Sequence, residues 1–249
     1  MNERDVLLLL CNTLGEPARD LVQSAEGNVS MRVDDSTMII KASGCYLETM
    51  TDADLVDVEL STVLSLLDHE PTDEQTRDTY RAATRSDTEK LPSVEAILHA
   101  VLYAITPAKV IAHTHPVAIN VLTCSVNAQL LISGSLYPDA IVMLGRRQVL
   151  VPYTDPGVPL AKAVRDAVEA FIAEEGCAPK VIYLTNHGLF VIAESAKEAL
   201  QVTEMAVKNA RILHGTLAAG GPQFLPAHHV DRIDKRPDEA YRRIALNAE

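Results

Sequence analysis

The sequence has no paired-cysteine framework. Its four cysteines, Cys11, Cys45, Cys124 and Cys177, lie far apart and form no CxxC. That excludes a disulfide scaffold and a thiolate zinc knot, and it is the pattern of reduced thiols. The chain also lacks a basic excess: 22 Lys and Arg stand against 34 Asp and Glu, for a formal net charge of −12 at pH 7. Dedicated nucleic-acid binders rest on basic patches, so that class is excluded. An anionic small substrate would need local donors rather than a positive field. Long apolar runs are missing too. Val6–Leu10 is far shorter than the ~20 residues of a membrane span, and Met1-Asn2-Glu3-Arg4-Asp5 supplies no basic region ahead of it. The expected protein is cytoplasmic, with neither membrane nor nucleic acid as a partner. No internal repeat or low-complexity segment is found.

What is present is an ordinary enzyme-like composition. The 249 residues are 47% hydrophobic and 22% charged, enough for a sizeable core in one large domain or a domain with a tail. The pattern predicts a helix from Asp5 to Ala25 with a break near Gly15 and Pro17. A hairpin of Val29–Val33 and Thr37–Lys41 turns at Asp34-Asp35-Ser36. Gly27-Asn28 and Ser43-Gly44 are turns, and residues 68–90 read as surface helix and loop. A helix is expected to start at Pro92-Ser93, with Glu95 in its first turn. Further strands are expected at Val110–His115, Ile141–Leu144, Val149–Tyr153, Val181–Thr185 and Leu189–Ala193. Helices are expected at Pro159–Glu175 and Ala196–Leu217. Residues 1–220 then form an α/β domain, a mostly antiparallel sheet covered by helices. Residues 221–249 form a tail packed on the domain or on a neighbour.

Val110-Ile111-Ala112-His113-Thr114-His115-Pro116 is the most informative stretch. In a strand, residues two apart share a face, so His113 and His115 would present two imidazoles side by side, an arrangement that suits a divalent metal; otherwise one histidine caps the strand and the other is merely exposed. His187, in Thr185-Asn186-His187-Gly188, is either a third ligand or a turn residue bonded to backbone. Glu95 is either a general acid/base beside such a centre or a carboxylate favouring a helix start. His99 shares a helix face with Glu95 and reads as an interior histidine. His69, His214, His228 and His229 read as surface or tail residues.

Taken in order, Glu26-Gly27-Asn28-Val29-Ser30, Lys41-Ala42-Ser43-Gly44, Pro92-Ser93-Val94-Glu95, His113-Thr114-His115-Pro116 and Asn186-His187-Gly188 resemble the motifs of the class II aldolase/adducin family, over roughly residues 5–220. Lys41–Gly44, Pro92–Glu95 and Leu98-His99-Ala100 look most like the aldolase portion of bifunctional rhamnulose-phosphate aldolase/dehydrogenase proteins, with no dehydrogenase half expected in this length. The resemblance implies a three-layer α/β/α fold with a central, mainly antiparallel sheet, and a homotetramer with active sites between subunits. It implies Zn²⁺ or another divalent metal on His113, His115 and His187, and Glu95 as the catalytic carboxylate. It implies a phosphate cradle of Asn28, Ser43, Gly44 and Ser93, and an assisting tyrosine for which Tyr137 is the nearest candidate. The implied reaction is cleavage of a ketose 1-phosphate or similar hydroxy-carbonyl compound to dihydroxyacetone phosphate and an aldehyde. The family's sugar-phosphate epimerases carry Asp where this chain has Glu95, which favours lyase chemistry. Decarboxylation is the runner-up, and a non-catalytic adducin-like module is a third reading that the retained histidines disfavour. The family's phosphate-binding aldolases place Ser-Ser before the Glu. This chain has Ser93-Val94, one hydroxyl fewer.

Overall fold

The computed structural model describes residues 2–238. Helix α1 (Glu3–Leu14) starts with a capping box in which the Asn2 side chain accepts from the Asp5 amide, and it ends at Gly15. A short helical turn at Pro17–Arg19 follows, so the expected break near Gly15 and Pro17 is an end, not a kink. Strands β1 (Asn28–Arg32) and β2 (Thr37–Lys41) form the expected antiparallel hairpin. A strand without a sequence-based assignment, β3 (Leu55–Glu59), pairs on the outside of β2. Helices α2 (Leu60–Leu64), α3 (Asp73–Ala83) and α4 (Ala96–Ile105) lead to β4 (Val110–Thr114). Helix α5 (Val117–Thr123) begins just after Pro116.

The expected strand at Ile141–Leu144 is instead part of helix α6 (Pro138–Leu144), started by Pro138 with Asp139 in its first turn. A four-residue apolar run has no period that separates helix from strand. Strand β5 (Val149–Val151) stops ahead of Pro152, which has no amide hydrogen to donate. Helix α7 (Val158–Glu175), strands β6 (Val181–Leu184) and β7 (Gly188–Ala193), and helix α8 (Ala196–Ala218) follow the expected order.

The sheet runs β3-β2-β1-β4-β7-β6-β5, antiparallel at every pairing except β5 with β6. Helices cover both faces, which is the expected α/β/α architecture. Ile111, Phe190, Ile182 and Met38 pack towards the side of α4 and α7. Val110, Ala112, Val191 and Tyr183 pack towards α1 and α8. Because both faces are covered, β4, β6 and β7 are buried along their whole lengths and read as continuous apolar runs rather than alternations. Beyond α8, helix α9 (Ala227–Asp234) packs on α6, with Ile233 against Ile141 and Val142 and Arg146 paired to Asp231. The expected tail therefore touches its own domain through α9, while residues 239–249 of that expectation lie outside the described residues.

Among the described residues no helix is long and apolar enough to cross a membrane.

Candidate metal centre

The centre forms where β1, β4 and β7 lie side by side. In register, Asn28 faces His113 across β1–β4, and His113 faces Phe190 across β4–β7. His113 is fully buried, its ring stacked 4.2 Å from that of Phe190. Its Nδ1 lies 2.9 Å from the Leu189 carbonyl. A carbonyl only accepts, so Nδ1 carries the proton and Nε2 presents a bare lone pair.

His115 lies one residue past the end of β4, its amide bonded to the Leu21 carbonyl. The strand is thus one residue shorter than expected, yet the two imidazoles still meet, Nε2 to Nε2 at 2.9 Å. His187 enters from the tight β6–β7 connection. Asn186 adopts the left-handed region there at φ 57, which asparagine tolerates, and the Asn120 side chain donates to the His187 carbonyl. The three rings form a near-equilateral triangle with centroids 4.7, 4.9 and 4.9 Å apart. Their potential ligand nitrogens all lie within 4.8 Å of one another.

Two glycines make this convergence possible. A Cβ on Gly188 would lie 2.4 Å from the Thr114 carbonyl oxygen and 2.7 Å from the His115 ring. Gly27 has φ +68, and a Cβ on it would lie 2.8 Å from the His113 carbonyl oxygen.

Glu95 is the N-cap of α4 rather than a first-turn residue, because the helix starts at Ala96 and not at Pro92-Ser93. Its amide donates to Ser93 Oγ. The carboxylate spans two imidazoles, Oε2 at 3.2 Å from His113 Nε2 and Oε1 at 3.2 Å from His187 Nε2. Burial pushes this carboxyl up, but positive charge placed at His113 and His187 outweighs it and holds the group well below the usual carboxylate range. Burial, with the neighbouring histidines, pushes His115 down to about 3.

Behind Glu95 runs a buried hydrogen-bond chain whose direction can be deduced. Asn28 Nδ2 donates to Glu95 Oε2 at 2.8 Å, so the Asn28 oxygen faces His99 Nε2, which donates to it. His99 Nδ1 is then an acceptor, and Ser30 Oγ donates to it at 2.7 Å. The Tyr103 hydroxyl lies 2.9 Å from Ser30 Oγ and completes the chain. His99 is the buried, bonded histidine expected, and burial pushes it down to about 3, so it is neutral.

The donor set suits a cation. His113 Nε2 cannot donate, Glu95 only accepts, and Glu26 Oε2 stands 3.7 Å from His115 Nδ1, favouring the proton there and a lone pair at its Nε2 as well. Lone pairs of His113 and His115 turned inward beside a carboxylate are an arrangement that a divalent ion satisfies.

The other expected residues divide. Ser43 and Gly44 form an exposed turn after β2, brought beside the Pro92–Ser93 segment by the Ala42–Pro92 bridge. Asn28 and Ser93 are buried with their side chains engaged by Glu95. Tyr137 is not brought to the centre of its own chain: its hydroxyl contacts Met205 Sδ and its ring faces Lys208, both on α8.

Two residues not expected at the site, Glu26 and Lys41, lie within the Glu26–Ser30 and Lys41–Gly44 motifs. Glu26 meets His115. Lys41 is buried at the end of the apolar β2, its Nζ donating to the Ala25 carbonyl just before Glu26; burial lowers its pKa. The signal for Lys41 was a lone charge closing an apolar strand.

Residues 7–214 match the family described as Class II Aldolase and Adducin N-terminal domain. The chain is 28% identical over 193 residues to an uncharacterized oxidoreductase, YuxG, of Bacillus subtilis, covering 74% of this chain and 26% of that protein, so it spans about a quarter of that relative's length. It is 26% identical over 187 residues to methylthioribulose-1-phosphate dehydratase of Geobacillus kaustophilus, covering 73% of this chain and 78% of that one. A solved L-fuculose 1-phosphate aldolase shares the fold with a TM-score of 0.70 at 21% identity, covering 94% of this chain and 97% of that one.

Proposed function

The chain belongs to the class II aldolase and adducin family, and on that premise we propose that it is a metal-dependent carbon–carbon lyase. It cleaves a ketose 1-phosphate or similar hydroxy-carbonyl compound to an aldehyde and a smaller ketone, dihydroxyacetone phosphate where the substrate carries phosphate. The observation that carries this reading is the Glu95 carboxylate spanning two of three clustered imidazoles. His113, His115 and His187 hold the ion, zinc or another divalent metal. The chemistry such an ion supplies when bound is polarisation of a carbonyl oxygen.

Glu95 handles the proton at the carbon alpha to the carbonyl. In the condensation direction it accepts that proton, and its depressed pKa keeps it ionised for the task. In cleavage the hydroxyl on the carbon that becomes the aldehyde gives up its proton as the carbon–carbon bond breaks, and a proton passes through Glu95 to the carbon that keeps the electron pair. Asn28 fixes one carboxylate oxygen, and His99 fixes Asn28, so the base approaches from one direction. Ser43 and Gly44, with Ser93 beneath them, form the polar side of the substrate site. The tyrosine role implied for Tyr137 needs a neighbouring subunit, consistent with a homotetramer, because in its own chain Tyr137 is held against α8.

The test is incubation of metal-loaded protein with ketose 1-phosphates, free ketoses and β-keto acids. Aldehyde release from a ketose is the expected outcome; carbon dioxide from a keto acid without aldehyde from any ketose would replace the reading with decarboxylation. A second reading rests on the likeness to methylthioribulose-1-phosphate dehydratase. There Glu95 would take the alpha proton while the hydroxyl on the next carbon leaves as water, and the product would be a deoxy dicarbonyl with no aldehyde fragment released.

A further inference from the structure

On the side of α3, α4 and α7 lies a cavity of about 820 Å³ that cleavage chemistry alone does not require. Glu95 and Ser43 are part of its wall while His113, His115 and His187 are not, so the cavity meets the candidate site from the Glu95 side. Most of the remaining wall is apolar: Leu66, Leu91, Val94, Val158 and four prolines. Apart from Glu95 its ionisable lining is balanced, Glu70 and Asp73 against Arg77 and Lys162.

A phosphate monoester is held by convergent donors and positive charge. This wall offers no net positive charge. The nearby Ser93 hydroxyl is buried and already accepts from the Glu95 amide. Val94 brings no donor, and its side chain is 68% exposed at the cavity wall, an apolar surface that folding leaves open. The volume lies towards the upper end of the roughly 300–1,000 Å³ of small-molecule sites, far more than a phosphate group fills.

We propose that this cavity receives the non-reacting arm of the substrate, and that the arm is an uncharged apolar chain of several carbons rather than a phosphate monoester. Such an arm removes Val94, Leu91 and the prolines from water, the driving force this wall is built to supply. The inference rests on the lyase reading above, and it names the substrate class of the same site.

Binding, rather than turnover, tests it. Two unreactive hydroxamates share a head that chelates a divalent ion; one carries an isopentyl arm, the other a phosphomethyl arm. Each is titrated calorimetrically into metal-loaded protein. The isopentyl compound should bind at least about tenfold more tightly, since a single methylene in an apolar pocket is worth roughly tenfold or more. In Val94→Ser its affinity should fall by about tenfold while metal content stays the same. Equal or tighter binding of the phosphomethyl compound, or an unchanged isopentyl affinity in Val94→Ser, overturns the inference and leaves the lyase reading standing. Failure of both compounds to bind metal-loaded protein overturns the two together.

Discussion

On one side of Glu95 stand three imidazoles, and behind it Asn28, His99, Ser30 and Tyr103 pass a directed chain of hydrogen bonds to its carboxylate. On another side opens a cavity walled by leucine, valine and proline, with balanced charges. In the first region hydrogen bonds fix the orientation of the polar side chains and, for His113 and His99, the tautomer. In the second, shape and apolar surface dominate. Directional bonds specify a reaction; an apolar wall specifies only size and hydrophobicity.

This contrast breaks first if the polar region is not a metal centre. His113→Ala should remove bound metal, measured by elemental analysis, and with it all turnover; metal retained at wild-type stoichiometry would undo the ligand assignment. Next in size, Glu95→Gln should keep the metal but slow turnover by about 10²–10⁴-fold, with proton exchange at the alpha carbon slowed alongside. Exchange at the wild-type rate would take Glu95 out of the reaction.

His99 sharpens the comparison through pH. It is neutral in the folded protein, its pKa depressed to about 3 by burial, whereas the unfolded chain binds a proton near the ordinary value of about 6.5. The folded state is therefore favoured fully above about pH 6.5, and that stability is lost as pH falls towards 3. His99→Gln cannot titrate. Its thermal midpoint should drop less than that of the wild type between neutral pH and about pH 4, a difference on the order of 3 kcal/mol in stability. An identical drop would show that His99 is not the acid-sensitive group. The smallest effect is expected at Glu26, which is 43% exposed at its side chain. Glu26→Gln should weaken metal affinity by about tenfold, read by competition with a chelator, and leave the fold unaltered.

Much of this was legible beforehand. The β1–β2 hairpin, the apolar runs of β4, β6 and β7, and the helices α7 and α8 followed from local pattern, and His113, His115 and His187 stood out as candidates from spacing and motif. The exceptions have physical causes. Ile141–Leu144 is as apolar as a strand, and only Pro138 and Asp139 ahead of it mark a helix. β3 is a short edge strand with two acidic residues, Asp57 and Glu59, within it. Glu26 and Lys41 were passed over because a carboxylate beside a turn and a lysine at a strand end look solvent-facing until the neighbouring segments are placed.

By itself, the sequence determined which residue types were available and the local spacing that unites two of them: His113 and His115 at the end of one strand, with glycines at 27 and 188 where the backbone must come close. Only tertiary structure decided that His187 joins that pair, that Glu95 points at two imidazoles instead of merely capping α4, and that His99 serves the site from the interior. Those facts depend on which strands are neighbours and in what register, Asn28 opposite His113 and His113 opposite Phe190. Register is settled by burying both faces of the sheet at once, a condition on the whole chain that no local stretch contains. The cavity belongs to the same class of fact: its walls come from α3, α4, α7 and the turn after β2, and none of those segments alone announces an opening.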